Sequence, residues 1–137
     1  MNTTKPILLI EDDIIDRMTV QRSFKELQIT NELLTANNGE EGLVCLKDER
    51  TDAPCIIILD LNMPKMNGIE FLSVVKQDAV LRKIPVIVLT TSKEEIDKVR
   101  SFNLGVAGYI QKPVDYDKFL EAIKTINLYW TLSELPS

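Results

Sequence analysis

Four short segments carry side chains that could do chemistry together: Glu11-Asp12-Asp13, Asp60, Thr90-Thr91-Ser92 and Gln111-Lys112-Pro113. Each follows an apolar run and so stands where a buried strand would end. Carboxylates gathered at one edge raise one another's pKa, and their ionised forms are unfavourable together unless a cation compensates. Oxygen ligands suit a hard ion such as Mg2+ or Mn2+, and Mg2+ usually takes one or two carboxylates and keeps waters that a phosphate can replace. An acceptor carboxylate, a metal, an ammonium and a hydroxyl are enough for phosphoryl transfer, which is mostly positioning and charge stabilisation. The chain contains no His, so Ser-His-Asp and Cys-His catalysis and imidazole metal ligation are excluded.

Each residue also has a plainer role open to it. Asp12 or Asp13 could cap the first helix, Thr90 could be an ordinary β-branched strand residue, and Lys112 could be a solvated charge. Asp60 is harder to explain away, because it closes the most apolar strand and is followed by Leu61-Asn62-Met63-Pro64-Lys65-Met66-Asn67-Gly68 rather than directly by a helix.

The elements that must position these groups alternate along the chain. Strands are expected at Ile7 to Ile10, Glu32 to Ala36, Cys55 to Leu59, Val86 to Leu89 and Ala107 to Ile110. Between them the spacing is helical. Ile14, Ile15, Met18, Phe24 and Leu27 fall largely on one face of a first helix, and Asn38 could cap a second that carries Leu43, Val44 and Leu46. Ile69, Leu72 and Val75 mark a third. Ser92-Lys93-Glu94-Glu95 reads as a capping box before Ile96 and Val99, and Asp115 precedes Phe119, Leu120 and Ile123 in the last helix. Five strand-helix units imply a doubly wound α/β domain with a parallel five-stranded sheet. The continuously apolar central runs fit strands buried on both sides, and such sheets bind ligands at the carboxyl ends of their strands.

Composition narrows the class further. The chain has 137 residues, 45% of them apolar, which suits one domain with a proper core. Its formal charge of −5 argues against a broad cationic surface for nucleic acid or anionic lipid. Cys45 and Cys55 are too few for a disulfide framework and read as buried, reduced thiols of a cytoplasmic protein. No signal peptide or membrane-length apolar run is apparent.

From about Lys5 to Ile126 the chain resembles the receiver domain of two-component response regulators. The likeness rests on Glu11-Asp12, on Leu59-Asp60-Leu61-Asn62-Met63-Pro64 running to Asn67-Gly68, on Thr90, and on Lys112-Pro113, with intervals of 48, 30 and 22 residues from Asp12 to Asp60 to Thr90 to Lys112. The resemblance implies a flavodoxin-like (βα)5 fold with strand order 2-1-3-4-5. It makes Asp60 the acceptor of a phosphoryl group from a histidine kinase or phosphotransfer protein. Asp12 and Asp60 would bind Mg2+ (or Mn2+), with the Asn62 backbone carbonyl as a further ligand and Glu11 acting through water. Thr90 and Lys112 would hold the phosphoryl group, Thr90 and Tyr109 would act as the switch, and the Lys112-Pro113 peptide would be cis. Asn62 and Ser92 would tune dephosphorylation, with no carboxylate supplied at either position.

Three other readings compete. A nucleotide or flavin site would need a Gly-rich or Ser/Thr-rich first turn, whereas Glu11-Asp12-Asp13 would repel a phosphate. A metal-dependent phosphohydrolase with an Asp nucleophile would carry a second acid where Asn62 stands. A receiver-like binding module that never takes phosphate would tend to have lost one of the groups retained here. The receiver is expected over 1–127, with a short apolar tail over 128–137 and no output domain. The output is then a contact with a downstream protein, and Tyr129, Trp130 and Leu132 could fold back in cis or join a homodimer through the fourth and fifth units. Apolar tails of this kind occur in stand-alone receivers partnered with bacterial phytochrome kinases.

Overall fold

The computed structural model describes residues 5–63, 66–101, 103–112 and 115–133, the side chains of 125–133 excepted. The elements run β1 (Ile7–Ile10), α1 (Ile14–Glu26), β2 (Leu33–Ala36), α2 (Gly39–Lys47), β3 (Ile56–Asp60), α3 (Gly68–Gln77), a 3-10 turn (Leu81–Lys83), β4 (Val86–Thr90), α4 (Lys93–Ser101), β5 (Gly108–Gln111) and α5 (Tyr116–Ser133). All neighbouring strands pair in parallel, in the order β2-β1-β3-β4-β5, as the resemblance implied. The first residues of the expected tail therefore continue α5 as helix.

Alternation along each strand divides the core in two. Leu8, Ile10, Ile57, Leu59, Val86 and Val88 face Leu43, Phe71, Leu72, Val75 and Val99. Ile7, Leu9, Ile56, Ile58, Ile87 and Leu89 face Val20, Phe24, Phe119 and Ile123. Phe24 of α1 and Phe119 of α5 meet with ring centroids 6.0 Å apart, a distance suited to tilted aromatic packing. β3 and β4 run one residue further than their apolar cores suggest, so Asp60 and Thr90 belong to the sheet; Asp60 is in register with Leu89, and Thr90 with Gln111.

The helix starts follow from their capping residues. Asp13 accepts from the N–H groups of Ile15 and Asp16 at 2.8 and 3.1 Å, Asn38 from Glu41 at 2.9 Å, Asn67 from Glu70 at 2.9 Å and Asp115 from Lys118 at 3.0 Å. Each satisfies a first-turn donor that has no partner within its helix. The face expected of α1 is buried only in its second half: Phe24 is buried and Leu27 packs against the core, whereas Ile14, Ile15 and Met18 are 69, 75 and 61% exposed. The inward stripe is Asp16, Val20, Ser23 and Phe24. The helix is rotated so that Asp16 meets the strand ends, which turns the three apolar residues outward. Val44 of α2 is likewise exposed, and Cys45 is only half-buried whereas Cys55 is buried; both are free thiols.

Gly68 lets α3 approach the end of β3. A Cβ there would lie 2.5 Å from Leu61 Cα and 2.7 Å from the Asp60 carbonyl oxygen, backbone atoms that cannot yield without moving the loop that follows β3. Gly68→Ala is expected to lower the urea midpoint by an amount worth about 1–3 kcal/mol. Gly105→Ala, whose added methyl has nothing within 4 Å, should be neutral or slightly stabilising. Equal midpoints for the two variants would contradict this packing.

Candidate functional site

The carboxyl ends of β1, β3, β4 and β5 bring the expected groups to one edge. Glu11, Asp60 and Thr90 are fully buried, while Asp12 is exposed at the rim. Lys112 reaches inward from the end of β5, and its Nζ lies 3.0 Å from Glu11 Oε1, 3.2 Å from Asp60 Oδ2 and 3.3 Å from Asp16 Oδ2. Its backbone N–H donates to the Thr90 carbonyl at 2.8 Å, which ties β5 to β4 at the site. Lys112 is thus an internal counter-ion and not a solvated charge. Asp13 is the helix cap, which leaves Asp12 free to face the site.

Asp16 and Arg17 were not singled out in the sequence. Asp16 contributes the third carboxylate to Lys112, and its signal would have been an acid four and eight residues before Val20 and Phe24 on one face of α1. The Arg17 guanidinium donates to the Glu11 carbonyl and to Asn37 Oδ1, the latter at 2.8 Å, joining the ends of β1 and β2.

The electrostatics reflect a shortage of positive charge. Burial, and then the facing Asp60 carboxylate, push Glu11 up to about 8. For Lys112 burial acts downward, but Glu11 and Asp60 outweigh it and hold the ammonium above the ordinary lysine range. Glu11 Oε1 is buried and, although close to Lys112, accepts no well-formed hydrogen bond. One carboxylate oxygen from each of Glu11, Asp12 and Asp60 can be chosen so that all lie within 4.8 Å of one another. These oxygens would be the ones to hold a hard divalent ion, which would supply positive charge at this edge. An all-oxygen donor set, an unsatisfied buried oxygen and excess negative charge together fit a hard divalent cation.

Other expected positions surround this cluster. The Asn62 N–H donates to Asp60 Oδ1 at 2.9 Å. Thr90 Oγ1 accepts from the Ser92 N–H at 3.1 Å and lies 3.4 Å from both the Ser92 carbonyl and Glu95 Oε2. Ser92 Oγ accepts from the Glu95 N–H at 3.4 Å, so its capping role is present. Tyr109 is half-buried against the core, with the Arg100 guanidinium 5.2 Å from its ring centroid. The expected cis peptide involves Pro113, and the aromatic tail involves side chains past 124; both lie outside the described residues.

Positions 62 and 92 themselves carry no carboxylate, but Glu95, three residues beyond Ser92, brings one beside Asn62. The Asn62 amide is oriented by its neighbours: turning Nδ2 towards Glu95 places it 2.7 and 3.1 Å from the two carboxylate oxygens, whereas the opposite setting would face oxygen to oxygen.

A parallel sheet in this order, with an acidic cluster, a hydroxyl and a lysine at its carboxyl edge, defines a phosphoryl-accepting signalling domain. The family model for the response regulator receiver domain matches residues 7–124, and the chain belongs to that family of phosphorylation-activated two-component switches, which work with histidine kinases or phosphotransfer proteins. Response regulator Rcp1 of Synechocystis sp. is 36% identical over 133 residues, covering 94% of this chain and 90% of that one. The phosphorylated cyanobacterial phytochrome response regulator RcpA aligns with a TM-score of 0.80 at 34% identity, over 98% of this chain and 100% of that one. The bacteriophytochrome response regulator RtBRR aligns at 0.80 and 38%, over 89% and 77%. The Mn2+-bound form of Rcp1 aligns at 0.77 and 35%, over 97% of each chain. This likeness and the acidic cluster together support divalent-metal binding.

The raised Glu11 pKa has a definite sign in stability. Between its unfolded value near 4.5 and its folded value of about 8, the folded chain holds a proton that the unfolded chain has lost. Stability of the metal-free protein therefore falls as pH rises through that window, by at most about 1.4 kcal/mol per pH unit from this group. Lys112 is protonated in both states there and adds no slope. Urea midpoints should decline from pH 5 to pH 8, and Mg2+ should restore more stability at pH 8 than at pH 5. A rising metal-free profile with equal Mg2+ gains at both pH values would contradict it.

Proposed function

We propose that Asp60 accepts the phosphoryl group, with Mg2+ held by Asp12, Asp60 and the Asn62 backbone carbonyl and with Glu11 acting through water. The observation that carries this reading is the fully buried Asp60 carboxylate beside Lys112 Nζ and next to the oxygens of Glu11 and Asp12. An Asp60 carboxylate oxygen attacks the phosphorus of a phosphohistidine on the donor protein, the P–N bond breaks, and the donor imidazole leaves. A bound divalent cation supplies charge neutralisation at the phosphoryl oxygens. Lys112 holds one of those oxygens, and the Thr90 hydroxyl turns to donate to another.

That turn vacates space beside β5, which the Tyr109 ring can enter. The change is a shift between two populated states, driven by contacts that only the phosphorylated chain can make. The chain is a switch and not a turnover enzyme, and it acts in the cytoplasm, where free thiols such as Cys45 and Cys55 stay reduced. Among the described residues no helix is long and apolar enough to cross a membrane. Residues 1–127 form the receiver, and the output is a protein contact rather than nucleic acid or membrane binding. The fourth and fifth units, with the segment 128–137, form the homodimer face.

A small-molecule phosphoryl donor with Mg2+ should label the chain with one phosphoryl group, and Asp60→Asn should abolish labelling. Repeated turnover of a phosphate ester would instead favour a phosphohydrolase. Beryllofluoride with Mg2+ should shift the Tyr109 resonances in the unaltered protein but not in Asp60→Asn.

Sedimentation addresses the dimer separately. The full chain should show a self-associating species that a chain ending at Ile126 lacks. Identical monomeric behaviour of both would remove the dimer.

A further inference from the structure

Glu95, on the first turn of α4, belongs to a Ser-x-x-Glu sequence that usually closes on itself, the Glu side chain returning to the Ser backbone N–H. Here the Ser92 N–H donates instead to Thr90 Oγ1 at 3.1 Å, and the Glu95 carboxylate extends towards the phosphorylation site. Its Oε2 lies 3.4 Å from Thr90 Oγ1. With the Asn62 amide set so that nitrogen and not oxygen faces the carboxylate, Nδ2 lies 2.7 and 3.1 Å from its two oxygens. Thr90 is fully buried at the end of β4, and Asn62 touches the acceptor through its own N–H. Two side-chain donors beside Asp60 therefore both reach a resident anion, the Thr90 hydroxyl having the Ser92 carbonyl as its second acceptor, also at 3.4 Å.

We propose that Glu95 is an internal competitor for the phosphoryl group, its carboxylate occupying the Thr90 hydroxyl and the Asn62 amide that phosphoryl oxygens on Asp60 would otherwise take. The inference rests on Asp60 being the acceptor. Glu95 acts through Thr90 and Asn62 and is a positioning residue. Hydrogen bonds to an ionised acceptor are roughly twice as strong as neutral ones, so breaking them opposes the move of Thr90 towards the phosphoryl group. The like charge of Glu95 opposes the incoming anion as well, and salt screens that part. Activation then requires both a gain at Asp60 and a release at Glu95, which biases the unphosphorylated chain towards its inactive form.

Glu95→Gln keeps the shape and removes the charge; Glu95→Ala removes both. Beryllofluoride affinity at saturating Mg2+, followed by backbone amide resonances, should tighten roughly fivefold in Glu95→Gln and at least as much in Glu95→Ala. Mg2+ affinity without beryllofluoride should stay within about twofold, because the change is local to Thr90 and Asn62. The Glu95→Gln gain should shrink in 1 M salt and vanish in a Thr90→Val, Asn62→Ala background. A purely helix-stabilising Glu95 would alter melting temperature and leave beryllofluoride affinity unmoved. Unchanged or weaker beryllofluoride binding in both variants overturns the inference, as does an undiminished gain in the doubly substituted background. If the unaltered protein shows no beryllofluoride response, the acceptor reading falls and this one with it; a normal response there with no change in either Glu95 variant overturns this inference alone.

Discussion

One ammonium group among three carboxylates is the contact on which the rest of the architecture depends. Lys112 Nζ lies within 3.3 Å of oxygens from Glu11, Asp16 and Asp60, and Glu11 and Asp60 are fully buried. Each partner alone would be destabilising there, because removing a charge from water costs several kcal/mol unless it is closely compensated. Compensation requires β1, β3 and β5 to end and α1 to begin within one side-chain length of each other, and a parallel sheet with its turns at one edge provides that convergence. The balance remains one of excess negative charge, so the same contact that completes the fold leaves room for a cation and then for a phosphoryl group.

The local devices around this edge serve that convergence. Asp13 caps α1 and directs Asp16 inward. Arg17 fastens the end of β1 to the turn after β2. The lack of a side chain at Gly68 lets α3 begin against the backbone of Asp60 and Leu61. Asn62 and Glu95 then connect the β3 turn to α4, so Asp60 and α4 share a hydrogen-bond path through Asn62.

Much of this was legible in residue order, because apolar runs of four or five residues mark buried parallel strands and the chemically able residues follow them directly. Glu11, Asp12, Asp60, Thr90 and Lys112 were found in this way. Local periodicity failed where tertiary electrostatics overrode it: Ile14, Ile15 and Met18 make a plausible inward face until Lys112, nearly a hundred residues later in the chain, draws Asp16 in. Glu95 was missed for a related reason. Its spacing from Ser92 matches a cap, and nothing in that spacing says that the Ser92 N–H has another acceptor. Tertiary partners supplied by distant strands carry no local signature.

The order β2-β1-β3-β4-β5 also divides the edge mechanically. Glu11 and Asp12 follow β1 and Asp60 ends β3, two of the three inner strands, whose residues are all buried and which are each flanked by a neighbour on both sides. Tyr109 and Lys112 come from β5, a border strand held on one side only and mostly half-buried or exposed. Compliance should therefore rise from the centre of the sheet to both borders, with the cation-binding residues on its stiff centre and Tyr109 on a softer edge. β2 and β5 each lie one buried strand away from β3, so the sheet itself favours neither side, and it is the placement of Thr90, Tyr109 and Lys112 on the β4–β5 side that would give a deformation at Asp60 its direction.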